Sequence, residues 1–241
     1  MSKSEKRIKL CGVILCESFT VFTIITLLAG GEPDRLALAF GTLLLVLLPM
    51  LLEKVFGCRI CLPVYIFALA YAIGPMLGHC WKLYCTVPVW DKLLHTSGGV
   101  MFVILGAFLF DVMAKDKDLS VVRTIFALCF SMAIAVLREF CEFGADRFFG
   151  MDMQDDTVIH GITSYLLGDT LGVTGSIPNI ESVVINGISL PVDGYIDIGL
   201  IDSMLDILLE TVGAVITCLI LWLGKGTPPV IQNSRIMQHI N

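Results

Sequence analysis

Nine ionisable side chains fall within or at the ends of apolar stretches of this chain, at spacings that could do chemistry. Asp91 and His95 are four apart, so on a helix one lies above the other. Arg138, Glu139, Glu142 and Asp146 share one narrow helical sector through steps of three and four, and Asp202, Asp206 and Glu210 recur every four residues. At about 1.5 Å per residue, Glu210 lies roughly 12 Å along its helix from Asp202, well inside the apolar stretch. A carboxylate at the centre of a membrane helix costs on the order of 2.5–3.5 kcal/mol, so these groups must face one another or a wet cavity. Seven acids (Asp91, Glu139, Glu142, Asp146, Asp202, Asp206 and Glu210) stand against Arg138 and a protonated His95, and they cannot all carry charge together. Either several stay protonated or a cation sits among them. Carboxylates with one His form a hard or mixed N/O donor set, suited to Mg²⁺, Mn²⁺, Ca²⁺ or, less tidily, Zn²⁺, and no HExxH pattern is present.

The elements that must position these residues follow from composition. Of 241 residues, 56% are hydrophobic and 16% charged, with a mean hydropathy of +0.85. Such a chain cannot cover its apolar surface with polar side chains, which excludes soluble, disordered and nucleic-acid-binding classes. At about 20 apolar residues per crossing the chain has room for roughly six helices. Six stretches answer, at 10–30, 36–52, 60–78, 93–113, 124–143 and 198–224, with Pro33, Gly57 and Pro63 as punctuation. The expected fold is an all-α integral membrane bundle forming a single polytopic domain over 1–241. Eleven Lys and Arg (Lys3, Lys6, Arg7, Lys9, Lys54, Arg59, Lys115, Lys117, Arg123, Lys225, Arg235) fall on one side. Arg35, Lys82, Lys92 and Arg147 fall on the other, which predicts a multi-pass protein of the cell membrane with both termini cytoplasmic. Alternating helix direction then brings the three ionisable clusters to the same depth on the outer side. One outward-facing acidic pocket is the expectation.

The long connection 144–197 is expected to be extracytoplasmic. Its apolar patch 157–168 is too short to span and reads as interfacial or re-entrant, and Asn186-Gly187 between β-branched runs predicts a type I′ hairpin over 182–192. A lone hairpin is marginal in water, so it is expected to pack on the helix ends. Asp152, Gln154, Asp155 and Asp156 read as an exposed acidic loop, and Glu17 and Asp111 are given no role. Among nine cysteines, Cys58-x-x-Cys61 has redox spacing without a second pair, and whether Cys80 and Cys85 join depends on a compartment that the sequence leaves open.

Asp91-Lys-Leu-Leu-His95, followed by Ser97-Gly-Gly99, resembles the "DKxxH" helix start of the VanZ-like membrane proteins. The helix with Glu139-x-x-Glu142, then Gln154, then Asp202-Ser-Met-Leu-Asp206-Ile-Leu-Leu-Glu210-Thr-Val-Gly-Ala214, resembles both that group and the related bacterial inner-membrane family typified by YjdF. The likeness covers roughly 88–218 without the loop 157–197. Glu210 stands where VanZ-like proteins often have Asn, and the aromatic pair beside the first Glu of YjdF-like proteins is absent. The resemblance implies a polytopic fold with the acids as its signature and, through the association of VanZ-like proteins with glycopeptide resistance, a link to envelope lipid or wall-precursor chemistry. It supplies no reaction.

The leading functional expectation is a site acting on an envelope lipid or lipid-linked phosphate. Glu139, Glu142, Asp146, Asp202, Asp206 and Glu210 are its candidate ligands for a divalent metal such as Mg²⁺ or Mn²⁺. Asp91, His95, Arg138 and Glu139 are the candidate catalytic residues, with His95 or a neighbouring Asp as general base and Arg138 on an anionic headgroup. A metal-dependent headgroup or phosphate hydrolase or transferase would need these parts. A cation- or proton-coupled transporter is the alternative, and it predicts polar residues continuing beyond Glu210, where span six turns apolar. A non-catalytic membrane interaction protein is the third reading.

Overall fold

The computed structural model describes residues 2–32, 35–114, 120–223 and 231–233. Pro33, Lys115, Lys117, Lys225 and Arg235, used above for helix punctuation and orientation, lie outside the described residues. Among the described residues, six helices are long and apolar enough to cross a membrane: α1 (Lys3–Gly30), α2 (Leu36–Phe56), α3 (Leu62–Cys80), α5 (Trp90–Met113), α6 (Ser120–Phe149) and α7 (Leu200–Leu223). A single turn, α4 (Leu83–Thr86), joins α3 to α5. The helices start and stop where chain chemistry requires: Ser2 caps α1 by accepting from the Glu5 N–H, while Gly31 and Gly57 end α1 and α2 in the left-handed conformation that glycine adopts without a Cβ penalty. Helix α6 runs to Phe149, beyond the expected 143, because the charged sector 138–147 continues the helix. Residues 60–61 belong to a strand and a cap rather than to the third span.

Two compact units are present, Met1–Ile134 with Leu209–Asn241, and Ala135–Leu208. In the first, Val13, Val46, Tyr65, Leu69 and Ala72 form a buried cluster among α1, α2 and α3. A second cluster, Val103, Ala107, Ala127, Ala214 and Cys218, joins α5 to the adjoining parts of α6 and α7. Lipid tails are as apolar as these side chains, so close packing of small residues replaces hydrophobic exclusion as the cohesive term. Ala39, Ala107, Ala127, Ala135 and Ala214 are accordingly buried, while large residues such as Leu15 and Leu44 are exposed. Thr20, Thr23, Thr42 and Thr217 donate to the carbonyl four residues back, which satisfies a hydroxyl where water is absent.

At the end of the first unit that holds the turn between α2 and α3, Lys9 is buried, although its charge suggests a loop-like basic residue. Its Nζ donates to Glu53 Oε1 at 2.7 Å and to the Ile60 carbonyl at 2.6 Å, and lies 4.8 Å from the Tyr65 ring centroid. Glu53 Oε1 also accepts from the Ile60 N–H at 2.9 Å. Strand β1 (Cys58–Ile60) pairs antiparallel with β8 (Ile231–Asn233), with Arg59 opposite Gln232. Burial, reinforced by Glu53, pushes the Cys58 thiol up, and its Sγ donates to the Leu52 carbonyl, so this half of the Cys-x-x-Cys pair has the environment of an unreactive thiol. Cys80 and Cys85 carry separate thiols.

The second unit holds the end of α6, the start of α7 and the connection between them. Short antiparallel pairs form there: β2 (Val158–Ile159) with β7 (Tyr195–Ile196), β3 (Gly161–Ser164) with β4 (Gly175–Pro178), and β5 (Val184–Ile185) with β6 (Ile188–Ser189). Asn186 and Gly187 have φ of 52° and 84°, the two positive values of a type I′ turn. The hairpin forms as expected, with only two residues per strand. Its packing differs from expectation: Val184, Ile185 and Ile188 are all exposed, so these side chains do not anchor it. The patch 157–168 makes β2, β3 and a 3₁₀ turn at Tyr165–Leu167, with Leu166 fully exposed.

Candidate functional site

Within the first unit the polar residues gather on the first turns of α5 and on the part of α7 that begins at Leu209. His95 is 3% exposed, and its Nε2 lies 3.2 Å from Asp91 Oδ1, one turn earlier. Gly98 and Gly99 follow on the next turn. A Cβ on Gly99 would overlap the Glu210 carbonyl oxygen, and one on Gly213 would overlap the Thr96 carbonyl, so α5 and α7 meet backbone to backbone. This close approach is what glycine makes available at a membrane helix crossing. A Cβ on Gly98 would lie 2.9 Å from Tyr71 Oη and 3.2 Å from Glu210 Oε2. Tyr71 and the fully buried Glu210 therefore border the same glycine, and the Gly99 carbonyl accepts from Ser131 Oγ at 3.4 Å.

In the second unit the charged sector of α6 divides into two kinds of residue. Glu139 is 6% exposed and Asp206, on α7, 1%. Arg138 Nε stands 4.0 Å from Glu142 Oε1, the expected pair four residues apart. Asp146 differs: its two carboxylate oxygens accept the Met153 and Gln154 N–H groups at 2.6 and 2.9 Å. Asp202 Oδ2 accepts the Asp155 N–H at 3.1 Å, and Gln154 Nε2 reaches Ser203 Oγ at 2.5 Å. These bonds fasten the segment after α6 to the start of α7. Asp197 completes the fastening by accepting from the Thr157 and Ile201 N–H groups, the latter in the first turn of α7, where a carboxylate also meets the positive end of the helix dipole. Burial, and then Asp152, Asp197 and Asp146, hold the Asp156 carboxyl above its usual range, opposed by a bond from the Gly199 backbone.

Of the candidates expected from spacing, Asp91 with His95 stand together, as do Arg138 with Glu142; Glu139, Asp206 and Glu210 are buried within apolar helices. Asp146 and Asp202 have backbone amides as partners, which gives them a loop-holding role that helical spacing does not reveal. Tyr71 and Ser203 were not legible, since a lone Tyr or Ser in an apolar run carries no pattern. The Ser97-Gly98-Gly99 run was the available signal for the α5–α7 crossing. No curated protein and no solved structure matches the chain. A family model described as "Predicted membrane protein (DUF2238)" matches residues 11–225, and with that span covered the chain belongs to this family of multi-pass membrane proteins.

Proposed function

We propose that the Asp91–His95 pair of the first unit supplies ligands of a divalent cation, and that the loaded site acts on the anionic headgroup of an envelope lipid or on a lipid-linked phosphate. The observation that carries the reading is the 3.2 Å separation of Asp91 Oδ1 and His95 Nε2, with the imidazole buried. Neighbouring ligand atoms on an octahedral ion at about 2.1 Å lie roughly 3 Å apart, which the Asp91–His95 separation matches. Arg138 offers a planar fork for a phosphate group. The cation would polarise a phosphoryl oxygen. The kinship with VanZ-like and YjdF-like proteins belongs to this proposal, supported by the Asp91–His95 helix start. So does a cell-membrane orientation with cytoplasmic termini, supported by the basic-residue bias and by an even number of crossings.

Isothermal calorimetry of the purified protein in lipid nanodiscs with Mg²⁺ and Mn²⁺ tests the reading. Saturable binding, lost in Asp91→Asn and His95→Ala at nearly unchanged melting temperature, is expected. Equal melting with and without metal, together with no effect of either substitution, would falsify it. Proton or cation flux in liposomes that Glu210→Gln abolishes would favour transport instead.

A further inference from the structure

The first unit contains an apolar slot of about 150 Å³ whose walls come from α2, α3 and α5. Tyr71 is the one lining residue with a side-chain oxygen or nitrogen. Two helix prolines shape the slot: Pro49 and Pro75 lack the N–H that would bond to the carbonyls of Leu45 and Tyr71, and all four residues line it. At one lip Leu45 and Leu48 are 47% and 41% exposed, so the slot opens sideways from α2. At the other end Tyr71 meets Phe102 edge-on and places its hydroxyl against Gly98, beside Glu210 and one turn from His95.

Water has no polar partners along such a wall, and dry voids of this size sacrifice packing, so the surrounding medium fills it. On a membrane-crossing face that medium is hydrocarbon. We propose that the slot takes the hydrocarbon chain of a membrane lipid, and that Tyr71 marks where the chain passes toward the Asp91–His95 turn. The inference rests on the reading of that turn as a lipid-handling site and adds where the tail lies. The α3 wall of the slot, from Val64 to Pro75, runs about 16 Å, so a segment of an acyl or prenyl chain lies along it.

The test uses the full chain in phosphatidylglycerol–phosphatidylethanolamine vesicles carrying a trace of phosphatidylglycerol with a diazirine at the chain end. After irradiation, peptides from the slot are expected to be labelled well above those around Leu15 and Leu28, exposed residues of α1 that report ordinary lipid contact. Ala68→Phe, which fills the slot, is expected to cut slot labelling about tenfold and leave α1 labelling unchanged. Competition by unlabelled polyprenyl phosphate, or by unlabelled phospholipid alone, assigns the chain type. Should Ala68→Phe fail to fold, that competition on the unaltered chain decides. Uniform labelling of α1 and the slot, absence of competition, or cross-linking of a second copy through the slot overturns the proposal. Slot labelling without Mg²⁺ binding marks failure of the metal reading alone, and Mg²⁺ binding with uniform labelling marks failure of the slot reading alone.

Discussion

Gly99 lies against the main chain of Glu210 so closely that any side chain at residue 99 would overlap the Glu210 carbonyl oxygen. The contact is backbone to backbone, with the Ala214 nitrogen next nearest, so no flexible group can yield. Gly99→Ala is expected to part α5 from α7 and to cost about 1–3 kcal/mol, read as a lowered melting temperature in detergent. Gly98→Ala meets only the tips of Tyr71 and Glu210, and a smaller loss is expected there. Equal effects of the two would contradict this geometry.

Lys9 is buried and Glu53 half-buried, and the pair also holds the Ile60 carbonyl and N–H. Lys9→Met leaves the half-buried Glu53 carboxylate without its cation and is expected to destabilise by about 1–3 kcal/mol. The double change Lys9→Met with Glu53→Leu should recover part of the loss. A denaturation cycle on the four proteins measures the coupling, and simple additivity would show that the pair is not a unit.

Asp146 anchors two loop amides, each bond charge-assisted. Asp146→Ala is expected to cost about 1–3 kcal/mol and to open the Met153–Gln154 segment to amide exchange. Divalent-ion affinity should change little. A large loss of affinity with unchanged exchange would return Asp146 to the ligand set.

Asp156 supplies the pH dependence. Its carboxyl is raised in the folded chain, so the folded form gains stability as the group takes up a proton. That gain is complete below the unfolded value and is lost as pH rises through the folded one. Melting followed from pH 7 down to pH 4 should show the native chain gaining on Asp156→Asn, whose side chain does not titrate. Parallel profiles would show that the carboxyl is not raised.

Sequence patterns determined a good deal of this protein. Six apolar runs forced six long helices, because no other element except a closed barrel satisfies its backbone in lipid. Asn186-Gly187 determined a hairpin turn because both positions need positive φ. Helical spacing also foretold that Asp91 and His95 would be adjacent, since a four-residue step is local geometry. Other relationships were decided by tertiary structure, each joining residues far apart in the chain. Lys9 is buried because Glu53 and Ile60 fold back over it, whereas its charge alone places it in water. Asp146 and Asp202 look like members of a ligand ladder by spacing, yet folded loop amides occupy them. The slot beside Tyr71 exists only where three helices, two of them bearing prolines, leave a gap, and a gap leaves no trace in a one-dimensional pattern.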